Sequence, residues 1–179
     1  MRRSLINITC TMLLLSCGSN SSTEKSAANI PSLTLSEKVF KIAEALPLKK
    51  DSATAFLSGL FIPSDSMKVT TDGDFKHFTA HEISLVINNL DSNIEEVEIW
   101  PAPGGYLHVP LKELEVRMDS AWKEWNMKLE IKEPPPGVMA WYTDQQHRKK
   151  KVEVMGPFIF DLANDSAIKE IRIIANEDQ

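Results

Sequence analysis

The sequence predicts an α+β domain made of two tandem helix-plus-antiparallel-sheet units, and three observations carry that expectation. Ile94-Glu95-Glu96-Val97-Glu98-Ile99 and Ile168-Lys169-Glu170-Ile171-Arg172-Ile173 share one apolar and polar alternation, 74 residues apart, each behind a turn-rich segment. Leu33-Thr34-Leu35-Ser36-Glu37 and Val109-Pro110-Leu111-Lys112-Glu113 each open a helical pattern, 76 residues apart. Pro101-Ala102-Pro103-Gly104-Gly105 interrupts the periodicity between them, as a linker does. The units are expected at 33–102 and 109–179, with a linker at 103–108.

In the first unit Thr34 and Glu37 make a capping box, and Leu35, Val39, Ile42, Ala43 and Leu46 recur at helical spacing until Pro47 stops the helix. Strands are expected at Met67–Thr70, Phe75–Ala80, Glu82–Asn88 and Ile94–Trp100, because side chains that alternate in polarity alternate between faces of a sheet. Thr71-Asp72-Gly73-Asp74 is the first hairpin turn. In the second unit Pro110 suits a first helical position, with Leu111, Leu114 and Met118 as the apolar stripe. Strands follow at Val138–Thr143, Lys150–Leu162 and Ile168–Ala175, with Asp144-Gln145-Gln146-His147 as a turn and Leu129–Lys132 as a further candidate strand.

Ahead of this domain, Met1-Arg2-Arg3 supplies a cationic head, Leu5–Leu15 an apolar stretch, and Leu14-Leu15-Ser16-Cys17 a small-residue cleavage site ending in cysteine. The run is shorter than the roughly 20 apolar residues that span a bilayer. These residues resemble a bacterial lipoprotein signal. The resemblance implies that residues 1–16 are removed, that Cys17 is acylated and becomes the mature N-terminus, and that 17–32 is a tether. Two or three acyl chains hold a protein on a membrane stably, where one does not. Gly18 follows the cysteine in place of an aspartate, which by the sorting rule of the family it resembles implies the outer membrane, periplasmic side.

Losing the leader moves the formal charge from −5 to −7, since it removes Arg2 and Arg3 and no acids. A mildly acidic chain lacks the basic footprint that nucleic acid requires. Cys10 would leave with the leader and Cys17 would carry lipid, so no thiol is left for a disulfide, a zinc site or a nucleophile. No metal and no cofactor is expected.

Two helix-then-sheet units behind an export signal resemble the β-lactamase inhibitor protein fold, which is also similar to small outer-membrane lipoproteins of the barrel-assembly machinery. The resemblance covers residues 32–176 in architecture alone. The disulfides of the secreted inhibitors have no counterpart here, and no motif matches residue by residue. What it implies is a two-unit sheet whose open face docks a protein.

Candidate site residues divide between binding and structure. Trp100, Trp141 and Tyr142 are the candidate partner-binding anchors, because large aromatics dominate interface energies; Trp141 and Tyr142 point to opposite faces of one strand, so one of them faces outward. Trp122 and Trp125 would face together if the second helix continues, either in the core or as an exposed pair. His77 and His81 lie four apart on a strand pattern, about 13 Å from each other, too far to share a metal. His147-Arg148-Lys149-Lys150-Lys151 reads as a charged hairpin tip or as an anion site without interleaved aromatics. Pro134-Pro135-Pro136-Gly137 is a rigid connector or a polyproline surface.

Neither G-x-S-x-G nor G-x-x-x-x-G-K occurs, and His81-Glu82 lacks the second histidine of H-E-x-x-H. No catalytic residue is assigned and no enzyme is expected. The chain is therefore expected to be a lipid-anchored cell-envelope protein that binds another envelope protein, in assembly or inhibition. The alternatives are an immunity lipoprotein against a toxin, or a small-ligand carrier or hydrolase with a polar-lined pocket.

Overall fold

The computed structural model describes residues 32–61, 66–125, 137–156 and 165–175. The leader, Cys17 and nearly all of the tether, the candidate strand Leu129–Lys132, the prolines of 134–136 and residues 157–162 of the strand expected at Lys150–Leu162 lie outside the described residues. Within them the chain is α+β, with three helices and twelve strands in chain order.

Helix α1 spans Leu35–Ala45. The Glu37 N–H donates to Thr34 Oγ1 at 3.2 Å and the Thr34 N–H donates to the Glu37 carboxylate at 2.7 Å, so the predicted capping box closes both ways. Val39, Ile42, Ala43 and Leu46 are fully buried. After Pro47 come β1 (Leu48–Lys49) and a helix the sequence reading passed over, α2 (Lys50–Ser58). Ala53 and Leu57 are its buried positions, at the i, i+4 spacing of a helix face, and Leu60 is buried in the turn just past its end.

Strands β2 (Lys68–Asp72), β3 (Phe75–Ala80) and β4 (Ile83–Asn88) follow as two hairpins. The first turn is narrower than expected, Gly73-Asp74 alone, and Gly73 holds a φ of +56° that favours glycine. The expected strand at Ile94–Trp100 divides at Glu95 into β5 (Asn93–Ile94), which pairs with β1, and β6 (Glu96–Pro101). Next come β7 (Leu107–Pro110) and α3 (Leu111–Glu115).

Helix α3 is only five residues long, and Pro110 is its cap instead of its first residue. Trp122 and Trp125 therefore do not share a helix face. Trp125 belongs to β8 (Lys123–Trp125), while Trp122 is half-buried against the core with its indole N–H 3.4 Å from the Leu111 carbonyl. The chain continues with β9 (Gly137–Thr143), β10 (Lys149–Met155), β11 (Asp165–Ile168) and β12 (Glu170–Ala175). Strands β7 and β11 form a small antiparallel pair.

Eight strands form one antiparallel sheet in the order β2-β3-β4-β6-β12-β10-β9-β8. Residues 68–101 supply one half and 123–175 the other, and the halves meet where β6 pairs with β12. Phe78, Leu85, Val97, Ile99, Ile171 and Val152 point to the face covered by the helices and have no exposed surface. The alternation then sends their neighbours to the opposite, outer face.

The basic run is built into this frame. Asp144 Oδ1 accepts the N–H groups of Gln146 and Arg148 at 2.8 Å each, and its Oδ2 accepts Arg148 Nε at 2.6 Å. Burial works to raise the Asp144 carboxyl, but these hydrogen bonds outweigh it and hold the group below its ordinary value. Lys150 is 1% exposed and donates to the Leu46 carbonyl at 2.7 Å. It ties β10 to the end of α1 and is not part of an exposed tip.

Candidate functional site on the outer sheet face

Strand register fixes which residues meet on the outer face. Across it run Thr70, His77, Val86, Glu98, Arg172, Glu153 and Met139, each directly opposite the next on the neighbouring strand. Its centre is ionic. Arg172 Nε lies 2.9 Å from Glu96, and Arg172 Nη2 lies 2.9 Å from Glu170 and 3.5 Å from Glu98. Glu153 beside them is paired with Lys151 at 3.1 Å. Burial raises the carboxyls of Glu170 and Glu96 above the ordinary range, and Arg172 opposes that shift in both.

Over the first half of the sheet the outer face forms an open groove of about 840 Å³. Val86 is buried in its lining, and Phe75 and Trp100, 48% and 41% exposed, are its large apolar groups. Asp72, His77, His81 and Glu98 contribute polar groups. The Trp100 indole N–H donates to Glu98 Oε2 at 2.8 Å, which fixes the ring along its own strand. Thr79 and Ser84 hydroxyls are 3.1 Å apart across β3 and β4.

The candidate anchors separate. Trp100 reaches the groove, and Trp141 is half-exposed on β9, opposite Lys151. Tyr142 takes the other face of β9 and is a core residue, 7% exposed, so it offers no surface to a partner. Its ring packs on Phe40 with centroids 5.3 Å apart, and its hydroxyl donates to the Glu44 carboxylate. Burial, then that carboxylate, push the phenol up to about 12. His77 lies on β3, whereas His81 occupies the β3–β4 turn with a φ of +52°. Among the described residues no group of histidine and acidic side chains is arranged to hold a metal ion, and no helix is long and apolar enough to cross a membrane.

The sequence reading missed Phe75 and Val86. Their signal was the alternation itself: once Phe78 is assigned to the core, Phe75 must stand on the opposite face with His77 and Thr79. Comparisons with protein-family models, with curated proteins and with solved structures return no match.

Proposed function

We propose that this chain is a lipid-anchored cell-envelope protein, held through Cys17 on the periplasmic side of the outer membrane, that acts by binding another protein and not by catalysis. The observation that carries the binding reading is the outer-face groove, where Phe75 and Trp100 stand exposed beside the carboxylates of Asp72 and Glu98. Exposed aromatics in a lined depression are the usual anchors of an interface, and flanking charges choose the partner. Trp141, farther along the same face, extends the surface toward β9.

In the same reading the domain is a tandem duplication. Two facts support it. The strands Ile94–Ile99 and Ile168–Ile173 both break at their second residue, Glu95 and Lys169. The β6–β12 pairing is also symmetric in the 74-residue offset: Val97 faces Ile173, Ile99 faces Ile171, and Glu98 faces its own counterpart Arg172.

The test is photo-crosslinking in intact cells from position 75, in the same groove, with mass spectrometry of the captured complex and of the anchor peptide. Trp100→Ala should weaken capture by about 2 kcal/mol, the level at which a residue counts as an interface anchor. An unmodified Cys17 thiol with the leader attached would overturn the anchoring. Unchanged capture by Trp100→Ala would overturn the docking surface. A second reading, a small-ligand carrier, is favoured by the groove's size, within the range of about 300–1,000 Å³ of ligand sites. Its polar set, His77, His81, Asp72 and Glu98, lines one depression. Small-molecule extraction from the native protein separates the two.

A further inference from the structure

We infer that two copies of this chain pair edge to edge along β2, continuing the sheet across a two-fold axis at Thr70. Strand β2 ends the strand order, and all five of its residues are exposed. Among the described residues no strand flanks its outer side. Such an edge presents unpaired N–H and C=O groups on alternate residues and accepts another strand.

The sequence of that edge is complementary to itself. Placed antiparallel about Thr70, Lys68-Val69-Thr70-Thr71-Asp72 sets Lys68 against Asp72 of the second copy and Asp72 against its Lys68. Val69 meets Thr71 on both sides, and Thr70 meets itself. Lys68, Thr70 and Asp72 all stand on the outer face, since they are opposite Thr79, His77 and Phe75 of β3. Two ion pairs therefore flank a threonine pair on one surface, and each is a favourable cross-strand combination. A parallel in-register arrangement would oppose lysine with lysine and aspartate with aspartate. Slipping the antiparallel register by one or two residues removes both ion pairs.

Lysine on an edge normally keeps other strands away. Here Asp72, four residues on, converts that repulsion into a match for this chain, while a foreign strand gains no such register. The closed two-fold arrangement uses one patch on both copies, the commonest form of association. Thr70 and Asp72 also line the groove, so pairing would bring two grooves together on one continuous face. The inference rests on the edge and its charges, not on the lipid anchor or on a partner protein.

A five-residue contact is small beside the ~1,000 Å² of a stable interface, so it is best trapped covalently. Residues facing each other in an antiparallel pair have Cα atoms about 4.5–5.5 Å apart, within the reach of a disulfide. Thr70→Cys in the full chain, mildly oxidised, should form a covalent dimer faster than the parent, whose Cys10 and Cys17 set the baseline, and faster than Leu90→Cys in an exposed loop. Adding Lys68→Asp or Asp72→Lys should slow it about tenfold, because each replaces two attractive pairs by two repulsive ones. Mixing those two variants, differently tagged, should restore the rate, since their charges are again complementary and recovery shows both are folded. Val69→Cys and Thr71→Cys should crosslink as a mixture and not separately. Thr70→Cys no faster than Leu90→Cys, indifference to either charge reversal, or no recovery on mixing overturns the inference.

Discussion

Arg172 is the residue whose loss the fold should feel most on its outer face. It is 24% exposed and sits among three carboxylates, of which Glu170 is 4% exposed and Glu96 42%. Arg172→Met removes the cation and leaves Glu96, Glu98 and Glu170 facing one another. Breaking a fully buried pair from one side costs about 3–5 kcal/mol; with Glu96 and Glu98 partly in water, the lower end applies, about 3 kcal/mol at neutral pH. That is a large share of the roughly 5–15 kcal/mol that holds a domain of this kind together. Burial already raises Glu170 and Glu96 in the native protein, so the folded state binds protons more tightly than the unfolded chain. Stability therefore falls as pH rises from the ordinary glutamate value through the raised ones, and it returns on acidification. Without Arg172 the main opposing influence is gone, the carboxyls rise further, and the window widens. Urea unfolding followed by tryptophan fluorescence should show the variant losing about 3 kcal/mol at about pH 7.5 and clearly less at about pH 5. A deficit that is equal at both pH values, or larger in acid, would refute the electrostatic argument.

Two further perturbations probe the frame. A Cβ at Gly137 would meet the Trp125 ring at 2.9 Å and the Val154 carbonyl at 3.2 Å, so Gly137→Ala should cost about 1–3 kcal/mol and loosen β8, read as lost amide protection at Lys123–Trp125. Of the chain's two tyrosines, Tyr142 should ionise only near pH 12, and because its folded value is raised, the stability it contributes is lost between about pH 10 and that point. Ultraviolet titration checks this: a late phenolate signal should be present in the parent and absent from Tyr142→Phe, and a parent without that late signal would remove the Glu44 hydrogen bond from the account.

Local rules decided how much was legible in the sequence. Helix α1 carries its cap, its stripe and its proline stop within a few residues, and the central strands β6 and β12 carry the alternation that places Val97, Ile99, Ile171 and Ile173 in the core. Helix α2 was hidden because Ala53 and Leu57 are few and its N-terminus lacks a side-chain cap. Helix α3 stops after Glu115 although its pattern runs on to Met118, and Trp125 goes instead to a sheet edge, where the side-chain-free Gly137 opposite leaves room for its ring. The alternation of β9 required Trp141 and Tyr142 to part, but which of them turned inward depended on Phe40 and Glu44, roughly a hundred residues away. Lys150 could not be told from its basic neighbours, since its burial depends on the Leu46 carbonyl at the end of α1, about a hundred residues away, and on the buried Asp144 carboxylate 3.7 Å from its ammonium.

The seam between the halves gives the duplication proposal its sharpest consequence. On the helix-covered face the β6–β12 contact is apolar, Val97 on Ile173 and Ile99 on Ile171, and a symmetric pair of identical units could make it equally well. The outer face is different. In the proposed duplication a pseudo-two-fold would pass between Glu98 and Arg172, which face each other and would hold the same residue in a dimer of identical units. Two glutamates directly opposite each other repel, as do two arginines. Under that proposal, joining the units in one chain would free the two positions to differ, and the observed pair is of opposite sign. Arg172 then gathers Glu96 and Glu170 as well, locking the halves on the face where burial of hydrocarbon is least complete. On this reasoning Arg172→Glu, which restores identity at the axis, should be worse than Arg172→Met, and Glu98→Arg combined with Arg172→Glu should recover part of the loss; no recovery in the exchanged pair would show that the seam is not organised about that axis.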